Sequence, residues 1–196
     1  MKASPFLVLC LSLATAFGQV AEEPQATNLI TEGDFEVPSG DFYSGWTSSG
    51  FLGGKPETQE MWDNKITAEN EVDGTPFARL KCADLTGASV AITQTEPVLL
   101  DPQWTDLTLS AEIRVANYEK NSPWGGRAQL TMYFFDNNEQ PIAGEQFVGV
   151  QNDTADWEPV QKAFVIPPGA VSVKVGAQLI GANGVMDVRK ISLTSE

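Results

Sequence analysis

The chain contains no histidine, and that single absence removes several chemistries at once. A Ser-His-Asp or Cys-His nucleophile system needs an imidazole as its base, and histidine-ligated zinc needs one as a donor. Both are excluded. Cysteine is nearly absent too, with only Cys10 and Cys82. Cys10 falls in an N-terminal stretch of secretory layout, and without it Cys82 has no partner for an internal disulfide. In the run Phe77-Ala78-Arg79-Leu80-Lys81-Cys82, the remaining thiol reads as a small buried hydrophobe. Basic charge is scarce: 12 Lys and Arg stand against 26 Asp and Glu, for a formal net charge of −14. That balance argues against nucleic acid and against anionic membrane surfaces, since both require a positive footprint.

Long apolar runs are missing as well. The run from Phe6 to Ala14 is well under the roughly 20 residues that a membrane span needs. With Lys2 before it and Ala16 and Gly18 after it, residues 1–18 have the layout of a secretory signal peptide cleaved after Gly18. The expected address is secreted or periplasmic. Residues 19–27 read as a flexible acidic tail. Residues 28–196 then suit a single domain with a sizeable core.

Catalytic signatures are also lacking. There is no GxSxG, P-loop, CxxC or HExxH, and no close acidic triplet on one strand of the kind that serves acid/base work in glycoside hydrolases. Isolated acids such as Glu112 and Glu145 read as solvated carboxylates first. Asn152-Asp153-Thr154 fits a glycosylation acceptor and is read as a plain loop.

What is present is alternation. Leu107, Leu109, Ala111, Ile113 and Val115 form one strict face against Thr108, Ser110, Glu112 and Arg114, which is the period of a half-buried strand. Phe77–Ala83, Val90–Thr95, Leu107–Ala116, Arg127–Phe135 and Gln146–Val150 follow one another with turn-forming residues between them. The end of the chain carries three more runs, Val160–Ile166, Val171–Ile180 and Val185–Leu193. They are broken by Pro167-Pro168-Gly169 and by Gly181-Ala182-Asn183-Gly184, so a closing antiparallel meander is expected. Asn28 to Glu36 reads as a short strand ending in a turn, and the stretch from Phe51 to Thr75 as loops and short strands. Many short strands without a helical period predict an all-β antiparallel sandwich of the jelly-roll kind.

Several of these stretches occur together in a telling order: Asn28-Leu29-Ile30, Gly33-Asp34-Phe35-Glu36, Gly45-Trp46, Trp157, Pro167-Pro168-Gly169-Ala170, and Gly184-Val185-Met186-Asp187-Val188 before Ile191-Ser192-Leu193. In this the chain resembles carbohydrate-binding modules of the galactose-binding-like jelly-roll superfamily, most of all the cellulose- and xylan-binding CenC-like type found beside secreted bacterial glycosidases. The resemblance implies a polysaccharide or oligosaccharide ligand, with a secreted glycosidase or cell-surface protein as partner. It also implies a structural calcium where the first and last strands meet, held by Glu36 and Asp187 with Asp34 helping. Calcium takes several hard oxygens, whereas Met186 stands where the family has the first of two aspartates. The alternative is that Glu36 and Asp187 hydrogen-bond backbone groups at a sandwich edge.

Sugar binding needs aromatic faces for the apolar C–H patches of a pyranose and polar side chains for its hydroxyls. Candidate rings are Trp62 in the early loops, Tyr118 and Trp124 in the connection 117–126, and Tyr133 on the outward face of its strand. That face also carries Arg127, Gln129 and Thr131. Its neighbours are either Glu112 and Arg114, or Lys174 and Gln178. Trp46 and Trp157 match positions that, by the same resemblance, pack under loops, which implies that both are structural. Three functions remain open: a non-catalytic carbohydrate-binding module, a structural or adhesive sandwich that binds a protein partner, and a polysaccharide-acting enzyme. The acidic surface favours neutral glycans over uronate polymers.

Overall fold

The computed structural model describes residues 27–36, 38–39, 42–51, 66–82, 89–123 and 125–195. The expected signal peptide, all of the expected acidic tail except Thr27, Trp62 and Trp124 lie outside the described residues. In chain order the strands are β1 (Pro38–Ser39), β2 (Phe42–Tyr43), β3 (Trp46–Phe51), β4 (Ile66–Asn70), β5 (Pro76–Cys82), β6 (Ser89–Gln94), β7 (Val98–Leu99), β8 (Asp106–Lys120), β9 (Arg127–Phe135), β10 (Pro141–Val150), β11 (Glu158–Val165), β12 (Ser172–Ile180) and β13 (Ala182–Ser195). Among the described residues there is no helix at all, and so none long and apolar enough to cross a membrane.

Two antiparallel sheets carry the fold. The first runs β10-β9-β12-β6-β3, with β7 also on β12, and the second runs β11-β8-β13-β5-β4. The reason lies in the side chains. On β8, Leu107, Leu109 and Ile113 are wholly buried while Glu112 and Arg114 point the other way. On β9, Leu130, Met132 and Phe134 meet them from the opposite sheet in one continuous core. Burying each such side chain contributes about 1.5–3 kcal/mol, and only the paired sheets bury both inner faces. Cys82 is buried in that core and forms no disulfide with a described residue.

Two sequence expectations are corrected. The last three strands do not form a meander, because β11 pairs with β8 in the second sheet, β12 with β9 and β6 in the first, and β13 with β8 and β5 in the second. Alternation reveals which face of a strand is buried but not which strand lies beside it. Gly181, at φ 58, makes the crossing rather than a hairpin, and a Cβ there would meet the Gly125 carbonyl oxygen. The stretch Asn28 to Glu36 is not a strand but an irregular turn sewn onto β13. Leu29 N–H donates to Leu193 O at 2.8 Å, and Ile191 N–H donates to Gly33 O at 2.9 Å. Asn28 Oδ1 accepts from Leu193 N at 2.9 Å and from Ile30 N at 3.0 Å. β13 is bulged between Arg189 and Ser192, with Lys190 at φ 54. A straight ladder is therefore unavailable there.

Candidate ligand-binding face

The outer face of the first sheet is built by register. Because Ala128, Leu130, Met132 and Phe134 face the core, β9 turns Arg127, Gln129, Thr131 and Tyr133 outward. Opposite them on β12 stand Gln178 against Gln129, Gly176 against Thr131 and Lys174 against Tyr133. On the edge strand β10, Gly149 lies beside Gln129 and Phe147 beside Thr131. Two glycines thus flank the central polar residues. A Cβ on Gly176 would lie 2.9 Å from Thr131 Oγ1, so the floor has no room for a side chain there.

A bulge in β10, between Ile142 and Gln146 and with Ala143 at φ 60, carries Glu145 back over this floor. Glu145 Oε1 accepts from Tyr133 Oη at 2.7 Å, from Gln178 Nε2 at 2.5 Å and from Gln129 Nε2 at 3.4 Å. Burial, then the hydrogen bond and charge of Glu145, push the Tyr133 phenol far above its ordinary range. It is a fixed donor rather than a proton exchanger. Gln129 is 1% exposed, yet its Oε1 has no hydrogen-bond partner. An unmet buried acceptor costs about 1–3 kcal/mol, and this one sits on an outward face. Beside it Phe147 is 38% exposed, with the Arg127 guanidinium 4.3 Å from its ring centre. At one end the face meets a cleft of about 540 Å³ lined in part by Thr95, Phe135, Asp136 and Lys174.

The expected residues divide between the two sheets. Gln129 and Tyr133 share this face, and their neighbours are Lys174 and Gln178. Glu112 and Arg114 do not join them, because β8 belongs to the second sheet and turns both outward on the other side of the sandwich. There Glu112 is bound by Arg189 at 2.6 Å and Lys190 at 2.9 Å. Burial raises its pKa, but the hydrogen bonds and charges of Lys190 and Arg189 outweigh that and hold it below the usual carboxylate value. Tyr118 does not present a free ring either. Its Oη donates to Gly126 O at 2.5 Å, and its flank packs on the core. Trp46 is buried and donates to Glu32 O, and Trp157 packs edge-on against Phe77 beneath Arg114 and Arg189.

The implied calcium does not fit these residues. Asp187 is 3% exposed, and both of its oxygens are taken by Arg79 and Arg114 at 2.7–3.0 Å. Two guanidinium charges sit where a cation would have to approach, and calcium needs several free hard oxygens. Glu36 and Asp34 are exposed, and among the described residues no group of three potential ligands comes together. The residue that sequence reasoning passed over is Phe147. Alternation in Gln146–Val150 was the available signal, since it opposes Phe147 to the inward Val148.

No protein-family model matches the sequence, and no curated protein sequence matches it. Solved structures do. The enzymatically active domain of bacteriophage CBA120 tailspike protein 4 superposes with a TM-score of 0.60 at 15% identity, covering 86% of this chain but 21% of that one. The CBM22-1 xylan-binding domain of Paenibacillus barcinonensis Xyn10C gives 0.54 at 12% identity, covering 89% of this chain and 97% of the module. The family 11 carbohydrate-binding module of Clostridium thermocellum Lic26A-Cel5E gives 0.51 at 13%, again covering 89% and 97%. Two facing antiparallel sheets and superpositions covering 89% of this chain and 97% of each module agree: the chain has the jelly-roll β-sandwich fold of carbohydrate-binding modules.

Proposed function

We propose that this protein is a secreted, non-catalytic carbohydrate-binding module that recognises a neutral polysaccharide on the outer face of its first sheet. One observation carries the reading: a desolvated array of Gln129, Gln178, Tyr133 and Glu145, with an unmet acceptor, set beside the partly exposed ring of Phe147. A sugar hydroxyl that displaces Glu145 from the array would meet these donors and the buried Gln129 acceptor, and pyranose C–H groups would pack on the part of the Phe147 ring that Arg127 leaves exposed. Recognition is passive, and the partner is a secreted glycosidase or a cell-surface protein.

Affinity electrophoresis of the mature protein through gels containing xylan, β-glucan, mannan or no glycan tests it. Retardation by one glycan is expected, and Phe147→Ala and Gln178→Ala each remove most of it. Equal migration of the folded protein in every gel would defeat the proposal. In that case the second reading, an adhesive sandwich with a protein partner, gains. It is favoured by Leu99, Val165 and Val171, which are 76%, 74% and 42% exposed and line adjoining clefts at one end of the sandwich.

A further inference from the structure

The outer surface of the second sheet carries a pocket that the glycan reading does not use. Arg79, Asp187 and Arg114 are cross-strand neighbours in one row over β5, β13 and β8. Lys81, Val185 and Ala116 form the next outward row. Valine and alanine are short beside two guanidinium stems, so these residues enclose a depression of about 280 Å³.

The charges in that depression do not balance. Asp187 Oδ1 accepts from Arg79 Nε at 2.7 Å, and Oδ2 accepts from Arg79 Nη2 at 2.9 Å and from Arg114 Nε and Nη2 at 3.0 and 2.8 Å. An ionised carboxylate offers about four acceptor sites, so Asp187 is fully committed to two cations. Glu71 takes Arg114 Nη1 at 2.7 Å and is not part of the lining. Among the described residues nothing bonds Arg79 Nη1 or Lys81 Nζ. The lining holds three cations and one anion; with Glu71 on Arg114 the excess is one positive charge, further offset at Arg79 by the nearby Glu69, and the donors to spare beside the apolar floor are Lys81 Nζ and Arg79 Nη1.

We infer that this pocket is an anion site, taking a single carboxylate or sulfate group carried on a saccharide. A lysine point charge and the free edge of a guanidinium converge on such a group with charge-assisted hydrogen bonds. Val185 and Ala116 supply the apolar surface for the C–H groups of the ring that bears it. The volume lies near the lower limit of small-ligand sites, roughly 300 Å³, which suits one charged residue rather than a long segment. The chain's overall charge of −14 disfavours polyanions at a distance. That field is screened beyond about 10 Å at 0.1 M salt, and at contact the lining decides. The pocket lies on the sheet opposite the glycan face, so the two assignments stand or fall separately.

Nuclear magnetic resonance titration of the folded protein tests it, with sodium galacturonate, sodium sulfate and uncharged galactose as probes at matched ionic strength. Saturable shifts are expected at the Arg79 and Arg114 Nε–H groups and at the Val185 and Ala116 amides with at least one anion, and none with galactose. Lys81→Gln, which breaks no bond to a described residue, weakens the response about tenfold. A response to galacturonate alone selects a carboxylate, to sulfate alone a sulfate ester, and to both makes charge the selector. The inference is overturned if neither anion moves these resonances, or if Lys81→Gln leaves the titration unchanged.

Discussion

Tyr133 on β9 donates to Glu145 on β10 at 2.7 Å, and the bulge that precedes Glu145 makes this reach possible. Removing the donor with Tyr133→Phe leaves a partly buried carboxylate short of one bond. The expected loss is about 1–3 kcal/mol, read from the denaturant midpoint. The sheet itself should persist, with an unchanged far-ultraviolet spectrum.

Burial raises the phenols of Tyr43, Tyr118 and Tyr133 alike. The folded state thus favours their protonated forms. Their contribution is complete below the unfolded value of 10.0 and is lost as pH climbs above it. In an alkaline titration, phenolate absorbance should therefore stay small near pH 10 and rise together with loss of structure. A normal tyrosine titration in the intact fold would contradict this.

Glu112 behaves in the opposite sense. Its pKa is held below 4.5, so its contribution is present above that pH and lost as pH falls through the lower folded value. Because the pair is partly exposed, Glu112→Gln should cost only about 0.5–1 kcal/mol at neutral pH. Its stability should also fall less steeply in acid than that of the unaltered protein.

Asp187→Asn leaves Arg79 and Arg114 facing a neutral amide on a nearly buried site. Breaking a buried pair costs several kcal/mol, and the partial exposure of both arginines reduces this to about 2–3 kcal/mol. Adding calcium or a chelator should leave the unaltered protein's melting temperature where it was. A rise with calcium would mean that another oxygen set binds the ion.

Gly33→Ala should be far more damaging than its size suggests. A Cβ there falls 1.8 Å from Ile191 O, a backbone atom that cannot step aside. At least about 3 kcal/mol should be lost. Gly144→Ala is the control, since nothing lies within 4 Å of its added Cβ.

How much of this could be read from the residues varies along the chain. Arg127–Phe135 is a strand over the same residues that alternation indicates, and the outward set Arg127, Gln129, Thr131 and Tyr133 follows from the same count. Leu107–Ala116 lies within a strand as alternation indicates, but that strand runs on to Lys120, because beyond a bulge Glu119 and Lys120 pair with Asn183 and Ala182 of β13 after the apolar face has ended. Sheet membership was not legible, which is why Glu112 and Arg114 could be set beside Tyr133. Cross-strand partners are chosen by three-dimensional closure, and one strand's period carries no trace of them. The reach of Glu145 was equally hidden, since a bulge residue such as Ala143 at positive φ has no sequence mark of its own.

Asn28 bonds to Ile191 and Leu193, partners 163 and 165 positions away. β13 is also the only link between β8 and β5 in the second sheet among the described residues. Closure of the sandwich therefore waits on the last strand, and loop-closure entropy is spent before these contacts form. Folding should be slow, in the millisecond-to-second range of topologies dominated by distant pairings. During synthesis the earlier strands must persist with two open edges until the C-terminal segment emerges. A chain shortened before Ala182 would never close them.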